Sequence, residues 1–188
     1  MVKLKVLAIV FLSLISNWIM GQRYESQPYE VLQSLDELEI RFYPPAIMAK
    51  TMANTGNPFS TLFQYISGAN QKNEKIEMTT PVYMYPEDGT SAMEFVLPKK
   101  YMRQQAPAPL GANVKIYESK PGYFAAVRYG GYSNASKVKI YTDRLMDKIQ
   151  KHELKAISSP VVLSYDSPYK VINRRNEILV KISYTTTD

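Results

Sequence analysis

Two stretches of this chain echo one another in the same order, and that constrains the fold more than any single residue does. Leu38-Glu39-Ile40-Arg41-Phe42, followed by Pro45 and the strand-like segment 46–51, returns as Val114-Lys115-Ile116-Tyr117-Glu118, followed by Pro121 and the segment 123–129. Further on, Thr79-Thr80-Pro81-Val82 returns as Ser158-Ser159-Pro160-Val161, and Glu94-Phe95-Val96-Leu97 as Glu177-Ile178-Leu179-Val180. The offset between copies widens slowly, as loop insertions would make it. A block that recurs in this way is a supersecondary unit that needs its neighbour to bury its apolar face.

Each half carries one amphipathic helix between its second strand and its Thr-Pro or Ser-Pro element. In the first, Asn57 suits the N-cap and Pro58 the first turn, and Phe59, Leu62, Phe63, Ile66 and Ala69 recur at helical spacing. In the second, Ser133 or Asn134 can cap, and Ala135, Val138, Tyr141 or Thr142, Leu145, Met146 and Ile149 form the apolar stripe. Aromatic and β-branched residues mark 83–85, 93–97, 161–165 and 178–184 as strands. Pro86-Glu87-Asp88-Gly89 is a hairpin turn, and 98–109 links the halves. Pro81 and Pro160 stand at equivalent strand starts, where a missing N–H is tolerated. The expected fold is α+β, with two pseudo-symmetric strand-helix-strand-strand repeats joined edge to edge. That gives a curved sheet or distorted antiparallel β-barrel with two flanking helices.

The chain has 188 residues, which suits one domain. The absence of cysteine excludes disulfides, thiolate metal sites and covalent haem attachment through thioethers. The single histidine, His152, leaves no multi-histidine metal cage and no second imidazole for acid–base work. It follows the second helix, where an imidazolium suits the C-terminal end of the dipole. Asp36, Glu37 and Glu39 cluster at the start of a strand, where alternation scatters their side chains over opposite faces. No nucleophile elbow, phosphate loop, dinucleotide fingerprint or zinc-protease motif occurs, and Gly130-Gly131 reads as turn geometry. No enzyme signature is present, and no metal site.

Lys3 and Lys5 precede an apolar run from Val6 to Ile15, and small or polar residues lead to Gly21-Gln22. The pattern is that of a secretory signal peptide over 1–21, its apolar run shorter than the roughly 20 residues of a membrane span, with an uncleaved anchor as the alternative. The mature domain, 22–188, is then expected outside the cytoplasm, periplasmic or secreted, with no stable membrane span after processing. Losing Lys3 and Lys5 lowers the formal charge from +6 to +4. Such mild basicity can attract anionic small molecules but lacks the dense stripe of a nucleic-acid binder. What the composition does supply is amphipathic side chains suited to flat ligands: 15 Tyr, 9 Met and 6 Phe.

Lys75-Ile76-Glu77-Met78-Thr79-Thr80-Pro81-Val82 closely resembles a signature of the SOUL haem-binding protein family. Tyr29-Glu30-Val31 with 38–45 is similar to the family's opening, and 124–132, Phe124-Ala125-Ala126-Val127-Arg128-Tyr129-Gly130-Gly131-Tyr132, to its mid-chain block. Tyr165-Asp166-Ser167-Pro168-Tyr169-Lys170, followed by Arg174-Arg175-Asn176-Glu177-Ile178, resembles its closing motif. The resemblance implies a distorted barrel with two helices and internal pseudo-twofold symmetry. It also implies non-covalent binding of haem or another tetrapyrrole in an apolar groove beside the first helix, for transport, buffering or scavenging. Carried over by position, the groove would use Phe59, Leu62, Phe63 and Met78, with Lys170 facing a propionate and no dedicated iron ligand. A module for another planar amphiphile and a protein-interaction module remain alternatives.

Overall fold

A computed structural model describes residues 24–53 and 56–185. The expected leader, 1–21, lies outside them. The chain runs as β1 (Glu25–Ser26), β2 (Glu30–Leu35), β3 (Leu38–Tyr43), β4 (Ile47–Met52), α1 (Pro58–Ile66), β5 (Thr79–Thr80), β6 (Val82–Glu87) and β7 (Thr90–Val96). A 3₁₀ turn (Lys99–Met102) precedes β8 (Lys115–Glu118), β9 (Gly122–Gly130), α2 (Ala135–Lys151), β10 (Lys155–Ala156), β11 (Val161–Ser164) and β12 (Arg175–Ser183). Nine strands follow the order β2-β3-β9-β12-β11-β6-β7-β4-β8, with β10 paired to β12. Every pairing along this path is antiparallel. β2 and β8 end the path without meeting, so the strongly curled sheet forms a half-barrel rather than a closed one. The fold is α+β, as expected. Leaving β2 aside, exchanging β3, β4, β6 and β7 for β8, β9, β11 and β12 gives the same strand order read in reverse, although the repeat itself still rests on the sequence echoes.

Alternation along the strands makes the two faces differ. On β12, Ile178, Val180 and Ile182 join Leu145 and Ile149 of α2 in one core, with Ala125 and Val127 supplied by β9. Ala49, Phe95 and Leu97 pack with Leu62, Tyr65 and Ile66 of α1 in a second. The face away from the helices is polar and aromatic. Arg41 and Glu177 form a buried pair there, Nη1 to Oε2 at 2.7 Å and Nη2 to Oε1 at 3.1 Å. Arg175 donates to the same carboxylate, as does the Tyr165 hydroxyl at 2.9 Å. Burial works against the Glu177 carboxylate, but hydrogen bonds and charge from Arg41, then charge from Arg175, hold it below the usual range. Glu94, at the echo of Glu177, accepts from the Tyr85 and Tyr117 hydroxyls instead.

Several local expectations are corrected. The hairpin turn between β6 and β7 is Asp88-Gly89, both at positive φ (48° and 76°), while Pro86 and Glu87 stay in the strand. The linking segment 98–109 is itself packed at Tyr101, which is buried and whose hydroxyl donates to Glu74 at 2.7 Å. Met146 lies exposed, outside the stripe that α2 buries. Asp36 and Glu37 form the turn between β2 and β3, where they meet Lys151 and Arg144. Glu39 pairs with Arg41.

Candidate functional site

The helix that positions the site is short and well capped. The Asn57 side-chain oxygen accepts from the Phe59 N–H at 2.9 Å and the Ser60 N–H at 3.4 Å, and Pro58 follows in the first turn. With the phase of α1 set, Phe59 and Phe63, four apart, share one face. Their rings stack 5.9 Å apart at 13°, and Phe59 meets the buried Phe95 edge-on at 5.5 Å. Leu62, Tyr65 and Ile66 point into the core. The single apolar stripe read from the sequence is thus two faces, one buried and one open, with Phe59 37% and Phe63 50% exposed.

The segment after the helix returns alongside it because Asn70 ties it down. Its amide donates to the carbonyls of Tyr65 and Glu74 and accepts from the N–H groups of Lys72 and Glu74. The motif that follows then divides its labour. Ile76 is core and donates its N–H to the Ile66 carbonyl, whereas Met78 turns toward Phe63. The Thr79 hydroxyl donates to the Val96 carbonyl, and Thr80 exchanges a hydrogen bond with Ser26 at 2.8 Å. β5 pairs in parallel with β1, which brings Tyr24 over the same ground.

The opposite wall is the loop between β11 and β12. Asp166 accepts from the Lys170 ammonium at 2.6 Å and from the Arg175 N–H. Arg174 Nη1 donates to the carbonyls of Ser167 and Lys170, each at 2.7 Å. Burial pushes the Asp166 carboxyl up, but those two donors and the cations around it leave it below the ordinary range. So fastened, Pro168 and Tyr169 face α1 across a cleft of about 400 Å³, within the usual range for ligand pockets. Its lining is mainly apolar: Phe59, Phe63, Met78, Val82 and Pro168, with Tyr24 and Tyr165.

The structure therefore brings together Phe59, Phe63 and Met78 but not all five expected residues. Leu62 is 0% exposed and cannot touch a cleft ligand, because at one residue from Phe63 the helix turns it inward. Lys170 lies beyond the apolar cleft in an adjoining hollow, already paired with Asp166. Sequence reasoning missed Tyr24, Val82 and Tyr169, and nothing in their local pattern marks them; they converge through the β1–β5 pairing and the loop after β11. His152 does not line the cleft. It caps α2, with Nε2 3.9 Å from Asp36. Among the described residues no group of three or more His, Cys, Asp or Glu side chains is placed to hold a metal.

The model of the SOUL heme-binding protein family matches residues 24–181. The chain belongs to this family. It is 30% identical over 156 residues to human heme-binding protein 2, spanning 74% of this chain and 75% of that one. It is 26% identical over 130 residues to bovine heme-binding protein 1, covering 65% and 68%. Among solved structures, the EcmrR C-terminal domain shares the fold with a TM-score of 0.53 at 14% identity, covering 84% of this chain and 99% of that one. A Listeria innocua structure described as a hydrolase shares it with a TM-score of 0.53 at 8% identity, covering 89% and 96%. At such identities these two speak to fold alone.

Proposed function

We propose that this chain binds haem or a related tetrapyrrole, without covalent attachment and without chemical turnover, in the cleft between α1 and the loop after β11. The observation that carries the reading is the stacked Phe59–Phe63 pair opened to solvent beside Met78, inside the family's own signature. A flat macrocycle gains from aromatic faces and from a polarizable thioether, which adapt to a planar apolar body. The cleft is mainly apolar, and its volume of about 400 Å³ suits burial of part of such a group. The chain's own residues supply burial and orientation, and any iron chemistry belongs to the bound group. No axial role is assigned to His152, which lies away from the lining. Transport, buffering or scavenging outside the cytoplasm is the role proposed. The location rests on the apolar leader-like run at the N-terminus.

Parallel titration of the mature protein with haemin and with metal-free protoporphyrin tests this. Comparable affinities are expected, and His152→Ala should leave the haem Soret band and affinity unchanged. Wild type that bound neither haemin nor protoporphyrin would refute the reading, whereas strict dependence on iron, or a large spectral shift in His152→Ala, would overturn the absence of an axial ligand and point to axial coordination.

A further inference from the structure

Next to the apolar cleft lies a second hollow of about 400 Å³ with a different chemistry. Tyr24, Thr80, Tyr165 and Asp166 belong to the walls of both, so the two form one trough. Arg128, Lys170 and Arg175 line the second part. Most charges around it are cancelled by a partner. Arg175 and Arg41 both reach Glu177, and Arg41 also reaches Glu39. Lys170 sits 2.6 Å from Asp166. Three acids thus meet three cations. Among the described residues Arg174 forms no ion pair, but it spends Nη1 on loop carbonyls and lies over the Tyr132 ring at 4.5 Å. Arg128 is different. It is exposed, it lines the hollow, and among the described residues its guanidinium has neither a hydrogen bond nor an ion pair. Strand register sets it opposite Glu177, on the polar face of the sheet, and Glu177 is saturated by other donors.

We propose that Arg128 anchors a carboxylate of the ligand, and that the trough selects a planar amphiphile carrying a free acid. The apolar body lies against Phe59 and Phe63 and the acid meets the guanidinium. A planar fork of donors suits a carboxylate better than an ammonium does. Lys170, to which the family resemblance assigns this contact, would first have to leave Asp166. Arg128 has no such competitor. The proposal rests on the tetrapyrrole reading of the cleft and names the part of the ligand that the chain recognises.

The test uses metal-free protoporphyrin IX and its dimethyl ester, followed by porphyrin emission, against wild type, Arg128→Met, Arg128→Lys and Lys170→Met. Wild type should prefer the free acid by about tenfold, the size of one charge-assisted hydrogen bond. Arg128→Met should abolish the preference while leaving ester affinity and melting temperature unchanged, and Arg128→Lys should restore part of it. Lys170→Met should cost less than Arg128→Met. If Arg128→Met kept the acid-to-ester ratio, or weakened both ligands equally, the anchor would be wrong. Wild type that bound acid and ester alike would remove the anchor and leave the tetrapyrrole reading standing, whereas wild type that bound neither would remove both.

Discussion

Leu62 and Phe63 are neighbours in sequence and opposites in function, which makes a paired truncation a sharp test of the site. Leu62 is 0% exposed in the core, so Leu62→Ala should cost about 2–5 kcal/mol in stability through lost contacts and a residual cavity. At roughly 2–4 °C per kcal/mol for a domain of this size, the melting temperature should fall by roughly 5–20 °C. Phe63 is 50% exposed. Fully burying a Phe contributes about 1.5–3 kcal/mol, so the half already covered in the free protein makes Phe63→Ala cost only about 1 kcal/mol in stability. A ligand covering the other half would gain a similar amount, and face-to-face stacking would add about 0.5–1.5 kcal/mol. The affinity loss in Phe63→Ala is then roughly fivefold to a hundredfold. Melting and porphyrin titration on the same sample separate the two effects. Porphyrin emission is the better signal, since the only tryptophan, Trp18, lies in the proposed leader and would be lost on processing. Two results would refute the reasoning: Phe63→Ala as unstable as Leu62→Ala, or Phe63→Ala with wild-type affinity.

Glu177→Gln should destabilise by about 1–3 kcal/mol in chemical denaturation, because it leaves the buried Arg41 with only the part-exposed Glu39 as a counter-charge. The same carboxyl makes the wild type acid-sensitive. Its folded pKa lies below the unfolded value near 4.3, so its contribution is present above about pH 4.3 and lost as pH falls through the lower folded value. Denaturation midpoints from pH 6 to 2.5 should fall more steeply in wild type than in Glu177→Gln. Intact-mass measurement on the secreted protein should find a mature start near Gln22, and a soluble cytoplasmic species retaining Met1 would contradict the leader.

The regular elements were legible because their periodicities are clean. β9 and β12 carry dense runs of β-branched and aromatic residues, and Asn57-Pro58 announces the start of α1. What could not be read was the phase between elements. One apolar stripe on α1 looked uniform, since hydrophobicity does not say whether a residue faces a sheet or a cleft. β2 was missed because its residues are mostly exposed and carry no apolar alternation. β1 and β5 are two residues each and exist through their mutual pairing. Lys170 was legible as a residue of the closing motif, but its engagement with Asp166 depends on how the loop folds back. Arg128 sat in plain view within the mid-chain block, and only the three-dimensional pairing of its neighbouring charges singles it out.

β1 and Gln27 hold the trough's shared wall by few bonds: the bridges of Glu25 and Ser26 to Thr79 and Thr80, the Ser26–Thr80 hydroxyl bond at 2.8 Å, the Gln27 N–H to the Thr80 carbonyl at 2.8 Å, the Tyr83 hydroxyl to the Gln27 side-chain oxygen at 2.5 Å, and the Lys99 N–H to Glu25 at 2.8 Å. An edge this short opens at a small fraction of the global unfolding free energy, independently of the cores beneath the helices. Because Tyr24 belongs to the walls of both halves of the trough, a ligand seated there adds its own binding free energy to that of peeling β1 away, by RT ln(1 + [L]/Kd). Amide exchange at residues 25–27 therefore reports occupancy directly. Those amides should slow as saturation rises, while amides whose local openings leave the trough intact should not.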